Sequence, residues 1–262
     1  MPRFAANLTL LFCEVPFLER FERAAMAGFE AVEFQLPYAF DAMEIRHQLD
    51  CHRLTAVLHN LPAGHWDLGE RGIACLPDRV DEFREGVQQG IAYAKVLGVP
   101  RLNCLSGIAP AQVDDAALHQ TLVSNLQFTA RALSRAGLQL LVEPINTFDI
   151  AGFYLHSTEQ AIKVLDEVDA DNALLQYDVY HAQRMEGELA QTLTRLLPRI
   201  GHIQIADNPG RHEPGTGEIN FPFLLDHLDR LGYSGWVGCE YHPATTTEAG
   251  LVWRHTLMRS TA

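Results

Sequence analysis

Short apolar runs rich in branched residues alternate with longer amphipathic segments eight times along this 262-residue chain, and that alternation limits the fold more than any other feature. The runs are FAANLTLLF from Phe4, AVEF from Ala31, LTAVLHN from Leu54, RLNCLSG from Arg101, LQLLVEPIN from Leu138, NALLQYDVYH from Asn172, GHIQIAD from Gly201 and GWVGCEY from Gly235. Near-continuous hydrophobicity is what a parallel strand covered on both faces requires. Between the runs, Val80, Phe83, Val87 and Ile91 recur at helical spacing, as do Leu118, Leu122, Leu126 and Leu133, and then Ala161, Val164, Leu165 and Val168. Gly28, Gly98, Gly137 and Gly232 stand where helices should stop before the next strand. Ser157, three residues before Gln160, reads as a capping-box start. Eight such units without a break in composition predict an α/β fold, one (β/α)8 TIM barrel forming a single domain over residues 1–262. No G-x-G-x-x-G follows the first run, so a dinucleotide-binding fold has no support.

The net charge of −13 repels polyphosphate backbones and argues against a nucleic-acid partner, though not against a small anion held by a local arginine, histidine or metal. Five cysteines without a C-x-x-C pair, mostly in apolar surroundings, read as reduced core thiols. The opening MPRFAANLTLLFCEVPF reads as a first strand rather than a signal peptide, since Glu14 follows and no small-residue cleavage site appears. No run approaches the roughly 20 apolar residues of a membrane span. We expect a cytoplasmic protein with a small-molecule substrate and no membrane partner; a homo-oligomer is compatible with the sequence.

In a barrel of this kind chemistry sits where the strands end. The last four runs each carry one polar side chain there: Glu143, Asp178, Gln204 and Glu240. Three carboxylates forced together cannot all stay ionised without a cation. An all-oxygen set favours Mg2+, with Mn2+ as the alternative. His59, His181 (in D-x-x-H after Asp178) and Arg211 are candidate substrate-binding residues, Arg211 as a fork for a carboxylate. The G-T-G at Gly215–Gly217 reads as a turn, because no Walker-type lysine follows. The segment from Leu61 to Asp78 is long and polar enough to cover the mouth. Glu143 and Glu240, on well-separated strands, are placed to take and return a proton on two sides of a metal-polarised hydroxy-carbonyl compound, giving aldose–ketose isomerisation or epimerisation.

At these residues the sequence resembles the hydroxypyruvate isomerase family, within the xylose-isomerase-like barrels. The resemblance runs through RFAANLTLLF, HNLPAG-W-GERGIACLP, VEPIN-FDI-GF, QYDVYHAQRMEGEL, GHIQIADNPGRHEPGTGEIN and GWVGCEY-P-TTTEAGL-W. It implies interconversion of hydroxypyruvate and tartronate semialdehyde (2-hydroxy-3-oxopropanoate) in glyoxylate metabolism. It also implies Glu143 and Glu240 as proton donor and acceptor, and Glu143, Asp178, Gln204 and Glu240 as holders of the metal. One departure is His242, where members of the family carry lysine after C-E-Y; a neutral imidazole there would remove a fixed positive charge.

Other readings compete. A 2-oxo-tetronate isomerase shares the MPRFAANL opening, but EPIN-FDI and DNPGRHEPGTGEIN look more like hydroxypyruvate isomerase. A ketose 3-epimerase would carry histidine at Gln204. An endonuclease-IV-like nuclease would need more histidine ligands and a less acidic surface. From a different class, a metal-containing protein could bind a sugar acid without turnover, which the paired glutamates argue against.

Overall fold

In the computed structural model, which describes residues 2–254, eight parallel strands close into one barrel in chain order, and the last pairs with the first. The strands are β1 (Arg3–Asn7), β2 (Ala31–Phe34), β3 (Thr55–Asn60), β4 (Arg101–Cys104), β5 (Gln139–Val142), β6 (Ala173–Asp178), β7 (Ile200–Ile205) and β8 (Trp236–Cys239). Around them run α1 (Arg20–Met26), α2 (Ala42–His52), α3 (Val80–Leu97), α4 (Asp115–Arg135), α5 (Thr158–Val168), α6 (Val179–Met185), α7 (Leu189–Leu196), α8 (Phe221–Arg230) and α9 (Thr247–Gly250). The helical stripes read from the sequence face inward: Phe83, Val87 and Ile91 on α3, Leu118, Leu122, Leu126 and Leu133 on α4, and Ala161, Val164, Leu165 and Val168 on α5 are buried. Ser157 caps α5 by accepting from the Gln160 N–H. Gly98 ends α3 in the left-handed region at φ 73°, where any larger residue would be strained.

Several strands are shorter than their apolar runs, the first and the sixth most clearly. The first strand stops at Asn7, because its carbonyl accepts from both Leu10 and Leu11 N–H and the chain turns away. The sixth stops at Asp178, whose side chain accepts from Tyr180 N–H and starts α6, so that Val179, Tyr180 and His181 are helical. Cys75, Cys104 and Cys239 are buried thiols as expected, whereas Cys13 and Cys51 lie at the surface.

The segment after β3 packs onto the barrel mouth rather than hanging over it. Ala63, Ile73, Ala74 and Cys75 are buried, and Gly72 pairs with Ser106 in the loop after β4. A Cβ on Gly72, at φ 104°, would overlap the Leu105 carbonyl oxygen; one on Gly69, at φ 93°, would meet nothing. Both replacements by alanine carry left-handed strain, but only the first adds a collision with backbone. Gly72→Ala is therefore expected to lower stability by about 1–3 kcal/mol more than Gly69→Ala in urea titrations. Equal losses would show that this contact does not hold the loop.

Candidate active site

A cavity of about 570 Å³ opens at the C-terminal end of the strands, lined by Glu143, His181, Arg211 and Glu240 together with Gln35, Asn60, Trp66, Arg71 and Arg184. It has the size and position of a small-molecule site in a barrel. Glu143 and Glu240 each follow a strand directly, and Asp178 ends its own, so the parallel register carries all three to one level. Asp178 lies opposite Gln204 across β6 and β7.

The three carboxylates are buried and close. Asn103 donates to Glu143 Oε2 at 2.7 Å. Glu240 Oε1 accepts from Asn7 at 2.9 Å and Gln35 at 2.9 Å, and its Oε2 from Arg211 at 2.9 Å. The same Arg211 Nη2 lies 3.8 Å from Asp178 Oδ2. Burial, then the charges of Glu240 and Asp178, push Glu143 well above the usual carboxylate range. Burial pushes Asp178 up to about 7 against the pull of Arg211, and Glu240 is raised for the same main reason.

The donor chemistry suits a divalent cation. Asp178 Oδ2 is buried without a hydrogen-bond partner, and ligand atoms of Glu143, Asp178 and His181 lie within 4.8 Å of one another. An orphaned carboxylate oxygen among raised carboxylates is what a missing positive charge produces. His181, however, presents a donor rather than a lone pair. Its Nδ1 faces Asn146 Nδ2 at 2.7 Å, and that amide cannot be reversed because its Oδ1 accepts from Phe148 and Asp149 N–H. Assigned from these partners, the neutral ring carries its proton on Nε2, 3.5 Å from Asp178 Oδ2 and 4.0 Å from Glu143 Oε1. Burial, then the Arg211 and Arg184 cations, hold His181 far below its ordinary pKa and so neutral.

Three expected site residues are not among those lining the cavity: Asp178, Gln204 and His59. Gln204 is buried, donating to Glu33 Oε1 at 2.7 Å and accepting from Gln176 at 2.6 Å. His59 is fully buried, its Nδ1 against the Asn60 carbonyl at 3.0 Å, and burial drops its pKa to about 4. Arg211 lies at the cavity, committed to carboxylates of the protein itself. The loop that carries it is wound around Asp207, which accepts from the backbone of Asn208, Gly215, Gly217 and Ile219. The two glycine amides of the G-T-G turn thus serve an internal carboxylate and that of Thr216 the Glu213 carbonyl, so none is free to cradle a phosphate.

Sequence reasoning missed the other half of the barrel mouth. Asn7, Glu33, Asn60 and Asn103 are buried polar residues at the ends of β1 to β4, and the search for polar strand ends would have found them there too. Glu33 pairs with His202 at 2.6 Å deep in the barrel and accepts from Asn7 at 3.0 Å. One hydrogen-bonded network thereby underlies Glu240 and Gln204.

Comparison with known proteins places this architecture. The family described as xylose isomerase-like TIM barrel matches residues 21–258. A hydroxypyruvate isomerase of Escherichia coli (strain K12) is 54% identical over 97% of this chain and 98% of its own. A 2-oxo-tetronate isomerase of Cupriavidus necator is 46% identical, covering 97% of each chain. A solved structure described as an AP endonuclease, family 2, from Brucella melitensis superposes with a TM-score of 0.95 at 44% identity, over 98% of this chain and 99% of that one.

Proposed function

This chain belongs to the xylose isomerase-like TIM barrel family, on its hydroxypyruvate isomerase branch, and from that premise we propose that it interconverts hydroxypyruvate and 2-hydroxy-3-oxopropanoate by metal-assisted proton transfer. The observation that carries the reaction class is a pair of buried glutamates, Glu143 and Glu240, both with raised pKa, lining one small-molecule cavity. Burial brings the pKa of such groups closer to neutral pH, where a carboxylate can take a proton from a carbon acid and a carboxylic acid can return one. The higher identity to the hydroxypyruvate enzyme orders the two substrate readings.

Glu143, Asp178, Gln204 and Glu240 would hold the cation, Mg2+ or Mn2+. When bound, it would polarise the substrate carbonyl and acidify the adjoining C–H. Gln204 takes part if its carbonyl oxygen offers its second lone pair, the first serving Gln176. One glutamate carboxylate removes a C3 proton from hydroxypyruvate; the C–H electron pair becomes the C2–C3 double bond and the carbonyl π pair moves to O2. The other glutamate then protonates C2 with the C2–C3 double-bond pair, while the O3 proton passes to O2 and C3 becomes the aldehyde. The Nε2–H of His181 is placed to donate to a substrate oxygen beside Glu143 and Asp178. A cytoplasmic place in glyoxylate metabolism belongs to the same reading.

The nuclease description of the Brucella structure finds less support in this site. A net charge of −13 opposes a nucleic-acid backbone, and the described residues contain one carboxylate–histidine cluster. No described helix is long and apolar enough to cross a membrane.

The test is turnover by chelator-stripped protein resupplied with Mg2+ or Mn2+, run in D2O. Conversion of hydroxypyruvate with solvent deuterium at C2 of the product is expected. Turnover only of a four-carbon 2-oxo acid would leave the site standing and replace the substrate. If neither acid reacts, the binding-protein reading takes over.

A further inference from the structure

Three arginines line the cavity, and their partners differ. Arg211 is paired with Glu240 at 2.9 Å and approaches Asp178 at 3.8 Å. Arg184 is paired with Asp149 at 2.8 Å and donates to Tyr180 Oη at 2.7 Å. Arg71, in the loop after β3, has no carboxylate partner among the described residues. Its Nη1 donates to the Trp66 carbonyl at 3.0 Å and the Glu70 carbonyl at 2.7 Å, and its guanidinium makes no other hydrogen bond among the described residues. The adjacent acid is already engaged: Glu70 accepts from Arg79 at 2.8 Å and from His65 N–H at 2.6 Å.

From this accounting we infer that Arg71 is the clamp for the substrate's carboxylate, and that resting on the reading above it sets the preference for a hydroxy-oxo acid over a neutral sugar. The free edge of the guanidinium is the Nε–H and Nη2–H pair, whose parallel bonds match the two oxygens of one carboxylate. The plane is held in place, because the guanidinium carbon stacks 4.0 Å over the Trp66 ring while Nη1 is tied to two carbonyls. Little side-chain freedom remains to be lost on binding. The loop itself is anchored through Gly72 to Ala63 and to the loop after β4. This moves the carboxylate fork from Arg211, whose charge answers the protein's own acids, to a residue on the opposite side of the chain's order.

The test compares glycerate, an unreactive anion, with dihydroxyacetone, which carries a hydroxymethyl group in place of the carboxylate of hydroxypyruvate. Arg71→Gln is expected to weaken calorimetric binding of glycerate, and to raise KM for hydroxypyruvate, by roughly fiftyfold. Its kcat and the binding of dihydroxyacetone should stay within about threefold of the parent. Arg71→Lys, which keeps the charge and loses the fork, should recover roughly a tenth of the lost affinity. Equal weakening of both ligands would reduce Arg71 to a structural role and overturn the inference. So would glycerate binding that survives Arg71→Gln but fails in Arg211→Ala. Glycerate is titrated without turnover, so an Arg71-dependent carboxylate site in a protein that leaves hydroxypyruvate untouched would sink the proposed reaction and leave the clamp in place.

Discussion

Glu143→Gln is expected to lower kcat by about three orders of magnitude while raising the melting temperature of the chelated protein. The loss follows from removing one of the two groups that handle the proton. The gain follows from electrostatics: Glu143 is buried, and its pKa is pushed up first by burial and then by Glu240 and Asp178. A carboxylic acid whose folded pKa lies above its unfolded value binds its proton more tightly in the folded state. Its contribution therefore erodes as pH rises from the unfolded value of about 4 through the folded one. Glutamine carries no charge to desolvate and keeps an oxygen for Asn103. The advantage of the variant should be absent near pH 4, grow with pH, and amount to about 2–4 °C for each kcal/mol gained. Glu240→Gln should cost a similar factor in kcat without this gain, because Arg211 would lose the carboxylate it holds at 2.9 Å. Scanning calorimetry of both variants at several pH values, beside steady-state kinetics, decides the matter. Retained activity in Glu143→Gln would remove the two-glutamate mechanism.

Chelation is expected to abolish turnover, by at least about a thousandfold, with recovery in Mg2+ or Mn2+. Recovery with Zn2+ should be poor, since the proposed ligands offer only oxygen and the partners of His181 assign the proton to its Nε2. Affinity for the ion should climb with pH, because Asp178, raised to about 7, must lose its proton before both of its oxygens are available. Titration calorimetry in buffers of different ionisation enthalpy would count the released protons. Full activity in excess chelator would take the metal out of the reaction, and an affinity flat between about pH 6 and pH 8 would take the Asp178 proton out of its binding.

The elements of the barrel could be read in the chain because each is a local matter. Branched apolar runs, helical stripes such as Leu118–Leu122–Leu126, and the glycine stop at Gly98 depend on residues within a few turns of one another. Strand order followed from the alternation, since short parallel crossovers leave few other arrangements. Glu143, Asp178 and Glu240 stood out as charges in apolar runs. The hydrogen-bond partners of those groups were not local. Asn7 reaches Glu240 across the closure of β1 on β8, 233 positions away in the chain, and Glu33 meets His202 at a separation of 169. Nothing in the neighbourhood of Asn7 marks that contact. Likewise, Arg211 stands out in the sequence as a carboxylate fork and Arg71 does not; only folding shows that the first faces Glu240 and Asp178 while the second is left with backbone carbonyls. The eight units, their order and the carboxylates at their ends are legible in the chain because patterning acts over short range. Tertiary structure decided which charges are compensated, because that depends on which side chains barrel closure brings within hydrogen-bonding distance.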